Sequence, residues 1–179
     1  MIYILVALEP EFPILLDSLN YTLLYTGVGK INATIAAMKA CNDPRCETVI
    51  NYGTAGALNK DIIGHLVAIG TVYQRDMDAR PLSQLGYTPF EEDSGPIKIN
   101  DSIFFSPYTL STGDNFVKDM PEIVTDAVDM EAYAIAKVCK LYNKRFECYK
   151  YMTDFADESA SEHWRENMHK GAEKFLEIL

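Results

Sequence analysis

The chain has 179 residues, enough for one domain with a substantial core. Apolar residues make up 48% and charged residues 23%, an ordinary balance for a globular protein. The formal net charge of −10 argues against a nucleic acid or a phosphate-rich partner, because phosphate binding needs a basic surface. A neutral or locally cationic small molecule is compatible with this charge.

The cysteines and histidines do not have metal-ligand spacing. The four cysteines contain no Cys-x-x-Cys pair, so we predict no metal site and free thiols in a reducing compartment. The apolar N-terminal run has no basic leader and soon meets Glu9 and Glu11, which predicts a buried strand and not a signal peptide. No stretch is long and apolar enough to span a bilayer. The sequence therefore predicts a cytoplasmic protein without a membrane partner.

Strands and helices alternate in the first part of the chain. The predicted elements are a strand over 2–8, a helix over 9–18, a strand over 21–25, an alanine-rich helix ending near Cys41 and a strand over 46–51. This alternation indicates an α/β fold with mostly parallel strand pairing. Ligands of such sheets bind beyond the carboxyl ends of the strands.

The second part of the chain contains more strands and two further helices. We predict a strand over 64–73, a polar loop over 74–96, short strands over 100–106 and 109–112, a helix beginning at Asp129, a strand over 146–152 and a last helix over 161–178. No internal repeat, low-complexity tract or linker divides the chain. We therefore predict a single domain over residues 1–179.

Two carboxylates flank Met130 at the start of an almost entirely apolar helix. Asp129 is a good N-cap residue, and Glu131 then falls in the first turn, where the helix dipole favours an ionised carboxylate. Desolvating such an acid is costly unless something hydrogen-bonds to it. Glu131 is thus either an acid that touches solvent beside a capped core helix, or an acceptor for the hydroxyl groups of a ligand.

Two glycine-containing segments follow predicted strands. Gly27-Val28-Gly29-Lys30 fits neither a Walker A loop, which would need glycine in place of Leu24, nor a dinucleotide fingerprint, which would need glycine in place of Asn32. Gly53-Thr54-Ala55-Gly56 would let the backbone approach a ligand closely, although a plain strand-to-loop turn explains it equally well. Both segments are predicted at the carboxyl ends of strands, where a ligand would bind.

Six segments in order resemble those of the nucleoside phosphorylase superfamily, and most of all its hydrolytic branch, the 5′-methylthioadenosine/S-adenosylhomocysteine nucleosidases. The segments are Ala7-Leu8-Glu9-Pro10-Glu11, Thr26-Gly27-Val28-Gly29-Lys30, Asn51-Tyr52-Gly53-Thr54-Ala55-Gly56, Thr112-Gly113-Asp114-Asn115-Phe116-Val117, Val128-Asp129-Met130-Glu131-Ala132 and Thr153-Asp154-Phe155-Ala156-Asp157. The resemblance covers nearly the whole chain. It implies an α/β three-layer sandwich with a central mixed, mostly parallel sheet, trimmed because the chain is shorter than is usual for the family.

The resemblance also implies an activity: hydrolysis of the N-glycosidic bond of a 5′-modified adenosine, with release of adenine and without a cofactor. Asp154 matches the general acid that protonates adenine N7, and Thr153 would orient it. Glu11 matches the residue that activates water, and Glu131 the acceptor for the ribose hydroxyls. The other matches are Met130 packing on the ribose, Leu8 and Thr54 lining the cleft, Phe116 stacking on adenine, the backbone of Val117 meeting its Watson–Crick edge and Trp164 near the 5′ group.

Several alternatives stay open. A phosphorylase would need arginines for phosphate, yet Asn51 and Tyr52 precede the second glycine segment and Lys30 is the cation near the N-terminal loops, which favours water. A nucleosidase for another purine nucleoside, such as a futalosine-type one, and a non-catalytic nucleoside-binding protein are the other two. Lys150 stands where the compared nucleosidases carry arginine. The resemblance implies a homodimer, with residues 74–80 leading to its interface.

Overall fold

The structure, a computed structural model, describes residues 1–14, 16, 19–99, 106–117, 119–155, 164 and 167–179. Its strands are β1 (Ile2–Val6), β2 (Tyr21–Tyr25), β3 (Thr48–Ala57), β4 (Leu66–Ala68), β5 (Thr71–Gln74), β6 (Ile97–Lys98), β7 (Thr109–Thr112), β8 (Ala127–Asp129) and β9 (Arg145–Phe155). Its helices are α1 (Lys30–Asn42), α2 (Ala132–Leu141) and α3 (Ala172–Leu176), with 3₁₀ turns at Glu9–Glu11 and Lys60–Ile62. None of the helices in these residues has the length and apolar character needed to cross a membrane.

The described strands form one mixed sheet. Its main path runs β2-β1-β3-β8-β7-β5-β6, while β9 pairs with β3 and β4. β1 pairs in parallel with β2 and β3, β9 with β3, and β7 with β5 and β8. The pairs β3–β8, β4–β9 and β5–β6 are antiparallel. This confirms the mixed, mostly parallel sheet expected from the sequence.

Two cores lie on opposite faces of this sheet. Tyr3 and Leu5 of β1 belong to the larger core, which includes the inner faces of α1 and α2. Ile4 and Val6 belong to a smaller core with Phe175 of α3. Successive side chains of a strand point to opposite faces, so the alternation along β1 separates the two cores. Helices, sheet and helix form the predicted three-layer sandwich.

The edge of β3 that faces away from β9 is shared by two strands. β1 pairs with residues 48–51, and β8 pairs in the opposite direction with Gly56 and Ala57. Their carboxyl ends therefore point toward each other, across residues 52–55, which pair with neither strand. Buried backbone groups at such a gap need other partners. A cleft lies at this gap.

Several element ends differ from the expectations. Gly53-Thr54-Ala55-Gly56 is part of β3 and is not a turn, because β9 pairs along the whole length of β3, with one irregularity between Ala55 and Gly56. Thr153 and Asp154 likewise lie within β9 and do not follow it. The predicted strand over 64–73 is divided into β4 and β5 at Gly70, where a Cβ atom would clash with the Ser106 carbonyl oxygen.

Two predicted helices are wrong in their described parts. The segment 9–18 contains one 3₁₀ turn over Glu9–Glu11 and no helix over 12–14, while residues 15, 17 and 18 lie outside the described residues. The last helix is not continuous over 161–178, since turns at 168–171 precede α3, and residues 161–163 lie outside the description. At Gly171 a Cβ atom would lie 2.5 Å from the Tyr151 side chain, so α3 packs closely on the sheet. Residues 100–105 of the predicted strand over 100–106 are also outside the description.

Candidate active site

A cleft lies at the gap in the sheet. The predicted site residues among its lining residues are Leu8, Glu11, Thr54, Phe116, Val117, Met130, Glu131, Asp154 and Trp164. The remaining one, Thr153, lies directly behind Asp154 and bonds to it. The structure thus brings together side chains that are up to 156 positions apart in the sequence, from Leu8 to Trp164.

Glu11 reaches into the gap and completes the hydrogen bonding of β3. The Thr54 backbone N–H and its hydroxyl donate to Glu11 Oε1 at 2.9 and 2.6 Å. The Leu8 N–H donates to Oε2 at 3.0 Å. Glu11 is only 3% exposed, whereas Glu9 in the same 3₁₀ turn is exposed. Of the two acids, the structure therefore places Glu11 in the cleft.

Glu131 lies at the N-cap of α2, one position before the first turn in which it was expected. Its Oε1 accepts the Gly29 N–H at 2.8 Å, so the glycine turn before α1 contacts the buried acid. Burial, and then the charge of Asp129, raise the pKa of Glu131 to about 7. The alternative of an acid that touches solvent is wrong, since Glu131 is buried against the cleft.

Asp129 caps α2, although it is the last residue of β8 and not the N-cap of the helix. Its Oδ2 accepts the N–H groups of Glu131 at 3.2 Å and Ala132 at 2.8 Å, and its Oδ1 accepts the Thr112 hydroxyl at 2.5 Å. Lys150 Nζ lies 2.9 Å from Oδ2, with both side chains buried. Burial alone would raise the pKa of Asp129, but the charge of Lys150 and these hydrogen bonds hold it below its usual value. Lys150 is therefore committed to Asp129.

Asp154 is held at the end of β9 by its neighbour. The Thr153 hydroxyl donates to Asp154 Oδ2 at 2.5 Å, and both residues are buried. The Asn167 side-chain amide donates to the Thr153 carbonyl at 2.8 Å, which ties the C-terminal segment to the same strand end. This geometry agrees with the prediction that Thr153 orients Asp154. Ala156 and Asp157 of the predicted motif lie outside the described residues.

Aromatic and apolar side chains form another wall of the cleft. Phe116 is 51% exposed, and its ring meets that of Trp164 edge to face, with 6.4 Å between the centroids. The Trp164 indole N–H donates to Thr54 Oγ1 at 2.8 Å, a contact that the sequence does not reveal. Val117 is buried, and Met130 is half-buried at the cleft. A flat aromatic ligand would find an exposed ring at Phe116 to stack on.

Arg75 is a cleft residue that the sequence analysis missed. It is buried and donates to the carbonyl oxygens of Ser111 at 2.7 Å, Asp129 at 2.8 Å, Gly113 at 3.1 Å and Asn115 at 2.6 Å. It thereby fixes the loop that carries Phe116 to the end of β8. The only sequence signal was its position just after a predicted strand, which many surface arginines share.

The cleft is rich in carboxylates, and the described cations in or near it are bonded to other groups. Arg75 is bonded to backbone carbonyls and Lys150 to Asp129. Lys30 lies 2.6 Å from Asp76 and 3.8 Å from Asp114. Such a site favours positive charge and repels anions. Among the described residues, no group of three or more His, Cys, Asp or Glu side chains could hold a metal ion.

Comparison with known proteins identifies the family of the chain. The model of a family described as the phosphorylase superfamily matches residues 12–179. A 5′-methylthioadenosine/S-adenosylhomocysteine nucleosidase of Staphylococcus saprophyticus is 33% identical over 159 residues, which covers 77% of this chain and 70% of that relative.

Solved structures with the same fold include two from Helicobacter pylori. A 5′-methylthioadenosine/S-adenosylhomocysteine nucleosidase in complex with a substituted pyrrolidinol is 24% identical with a TM-score of 0.86, covering 99% of this chain and 96% of the other. A futalosine hydrolase is also 24% identical with a TM-score of 0.86, covering 98% and 95%. At these identities the two structures show the fold alone. The family match over most of the chain and the 33% identical relative show that the chain belongs to the nucleoside phosphorylase superfamily, as a member similar to its 5′-methylthioadenosine/S-adenosylhomocysteine nucleosidases.

Proposed function

We propose that this protein hydrolyses the N-glycosidic bond of a 5′-modified adenosine, of the methylthioadenosine or adenosylhomocysteine type, and releases adenine. The observation that carries the proposal is the meeting of Glu11, Glu131 and Asp154 in one cleft. Relatives named for this activity support it. The three acids match the three needs of the reaction: a protonated leaving base, an activated water and a site that tolerates a cationic ribosyl group.

Asp154 is proposed as the acid. As the bond from C1′ to N9 breaks, its electron pair moves into the adenine ring, and N7 takes up a proton from Asp154. The Thr153 hydroxyl donates to Asp154 Oδ2 at 2.5 Å and so fixes the orientation of the carboxyl group. Proton transfer to N7 requires such a fixed orientation, because the donor and acceptor must lie within hydrogen-bond distance. The buried position of Asp154 keeps bulk water from competing for this proton.

Glu11 is proposed as the base. It takes a proton from a water molecule while the water oxygen bonds to C1′, so the products are adenine and the free sugar. Both oxygens of its carboxylate accept hydrogen bonds, Oε1 from Thr54 of β3 and Oε2 from the N–H of Leu8, which follows β1. Such preorganisation avoids a rearrangement during the reaction.

Glu131 is proposed to bind the ribose hydroxyls and to stabilise the positive charge that develops on the sugar. Ribose hydroxyls donate most strongly to an ionised carboxylate. Met130 would pack on the ribose, and Leu8 and Thr54 would line the same space. Phe116 would stack on adenine, with the Val117 backbone at its polar edge, and Trp164 would lie toward the 5′ group.

Adenine release from methylthioadenosine, measured with and without phosphate, tests the proposal. We expect equal rates in both conditions and a free sugar as the second product, because the described cations near the cleft are bonded elsewhere. Strict dependence on phosphate would instead make the protein a phosphorylase. Binding of adenine nucleosides without any turnover would make it a non-catalytic binding protein. The Asp154→Asn variant serves as the matched control for contaminating activity.

A futalosine-type nucleoside is the second candidate substrate. The futalosine hydrolase structure and the nucleosidase structure share the fold of this chain with the same TM-score of 0.86, so the fold does not distinguish the two substrate classes. Ribose and N7 are common to both classes, so the acids do not distinguish them. A panel of methylthioadenosine, adenosylhomocysteine, adenosine and futalosine would decide by the relative kcat/KM values.

A homodimer in the cytoplasm is part of the same proposal. Helix α1 exposes Ile31, Ile35 and Met38, and Leu141 at the end of α2 is 78% exposed. Contiguous exposed apolar side chains are typical of protein interfaces. The four free cysteines are all buried, which is compatible with a reducing compartment. Light scattering after size exclusion should give twice the 20.1 kDa mass of the chain, and a monomer would contradict the dimer.

A further inference from the structure

We propose that Trp164 is a positioning residue for Glu11 and acts through the hydroxyl of Thr54. The inference rests on the proposed function, in which Glu11 activates water. Its structural basis is a chain of two hydrogen bonds, from the Trp164 indole N–H to Thr54 Oγ1 at 2.8 Å and from the Thr54 hydroxyl to Glu11 Oε1 at 2.6 Å. Besides packing near the substrate, Trp164 thus orients the Thr54 hydroxyl that bonds to Glu11.

The direction of both hydrogen bonds is fixed by the chemistry of the three groups. An indole N–H can only donate, a carboxylate can only accept, and a threonine hydroxyl has one proton. When Trp164 donates to Thr54, the hydroxyl proton is directed to Glu11. Without the indole, Thr54 Oγ1 could turn its proton toward water or another acceptor. Trp164 therefore holds the hydroxyl as a donor to the base.

The number of accepted hydrogen bonds distinguishes the two carboxylate oxygens of Glu11. Each carboxylate oxygen can accept about two hydrogen bonds. Oε1 accepts two, both from Thr54, whereas Oε2 accepts one among the described residues, from the Leu8 N–H. The geometry therefore assigns Oε2 as the oxygen that takes the proton from water, while Oε1 anchors the group.

The segment that carries Trp164 is tied to the site by its own contacts. The Met168 N–H donates to the Trp164 carbonyl at 2.9 Å, and the Asn167 amide donates to the Thr153 carbonyl at 2.8 Å. The Trp164 ring also meets Phe116. The segment that carries the indole is therefore attached to the end of β9 that also carries Asp154. This attachment links the position of the proposed base, Glu11, to that of the proposed acid, Asp154.

A double-mutant cycle in the full chain tests this inference. Trp164→Phe keeps an aromatic ring beside Phe116 but removes the indole N–H together with one ring of the indole, so we expect kcat to fall about tenfold while KM changes less than about twofold. Thr54→Val removes the hydroxyl and should lower kcat by about 30-fold or more. In the Thr54→Val background, Trp164→Phe should cost nothing further. Thr54→Ser is the matched control, in which the tenfold loss on Trp164→Phe should persist.

The hydrogen bond between Trp164 and Thr54 can also be observed without measuring catalysis, because the chain has a single tryptophan. Its indole N–H gives one signal in a ¹H–¹⁵N spectrum. Thr54→Val should shift this signal upfield and speed its exchange with water, whereas Thr54→Ser should leave it close to the wild-type position. An indole signal that ignores Thr54→Val would overturn the inference, as would a kinetic loss that is the same with and without the hydroxyl.

These readouts separate the inference from the function on which it rests. A wild-type protein that cleaves none of the nucleosides in the panel would contradict the proposed function, while the indole signal would still decide for or against the hydrogen-bond chain. A wild-type protein that releases adenine, together with additive losses in the cycle, would leave the function standing and refute the role of Trp164.

Discussion

Glu131→Gln is expected to stabilise the protein at neutral and alkaline pH while impairing nucleoside binding. The pKa of Glu131 is raised from its usual 4.5 to about 7, first by burial and then by Asp129. Because the folded chain holds this proton more tightly than the unfolded chain, the stabilising contribution is complete below pH 4.5. It is lost as the pH rises through about 7 and the buried group ionises. The difference corresponds to ~3 kcal/mol at most.

The assay is urea unfolding of the wild type and the variant across this pH interval. The free energy of unfolding of Glu131→Gln minus that of the wild type should grow by ~1.4 kcal/mol per pH unit between the two pKa values and then level off. Glu9→Gln, at an exposed position of the 3₁₀ turn, controls for the loss of one negative charge. Parallel stability curves for wild type and Glu131→Gln would refute the assignment of a buried, proton-holding acid.

Four further outcomes follow from the site. Asp154→Asn should lower kcat by about 10³-fold with little change in the affinity for a non-hydrolysable adenosine analogue, measured by calorimetry; unchanged turnover would exclude Asp154 as the acid. The affinity of that analogue should rise as the pH increases through about 7, since Glu131 accepts ribose hydroxyls best when ionised, and this step should be absent in Glu131→Gln. A 2′-deoxy substrate should lose about tenfold or more in kcat/KM, and equal reactivity would contradict the ribose contact. Lys150→Met should destabilise the fold by ~3–5 kcal/mol in thermal unfolding, because Asp129 is left buried without its cation; a loss below about 1 kcal/mol would mean that the hydrogen bonds to Asp129 stabilise its charge without Lys150.

The sequence predicted the mixed sheet and helices α1 and α2, because these depend on local patterns, whereas the site residues were expected from the resemblance of six segments to a known family. Apolar runs and the alanine-rich segment predict β1, β2 and α1 correctly, and Thr109–Thr112 is found as predicted. Motif order placed Glu11 and Asp154 among the site residues, and the structure brings both to one cleft. Their catalytic roles stay predictions.

The errors arise where distant parts of the chain decide the outcome. Residues 53–56 carry two glycines and predict a turn, but pairing with β9 keeps them extended. Arg75 could not be assigned because its acceptors are backbone carbonyls of residues 36 to 54 positions away. Lys150 and Asp129 are separated by 21 positions, so their buried ion pair was likewise invisible.

The gap in the sheet explains why acidic groups can be kept in this cleft. Had a strand covered residues 52–55, the Thr54 N–H would have been used in a ladder, and Glu11 would have been buried without this donor. The opposite directions of β1 and β8 along β3 bring Glu11 and Asp129 to the two sides of the gap. Glu11 accepts hydrogen bonds from two backbone N–H groups and the Thr54 hydroxyl, and Asp129 is paired with Lys150. Glu131 accepts a hydrogen bond from the Gly29 N–H, and its pKa is raised. Of these three acids, Glu131 is therefore the one whose ionisation destabilises the folded chain most. Glu131 is also the acid proposed to accept hydrogen bonds from the ribose hydroxyls, so substrate binding would stabilise its ionised form.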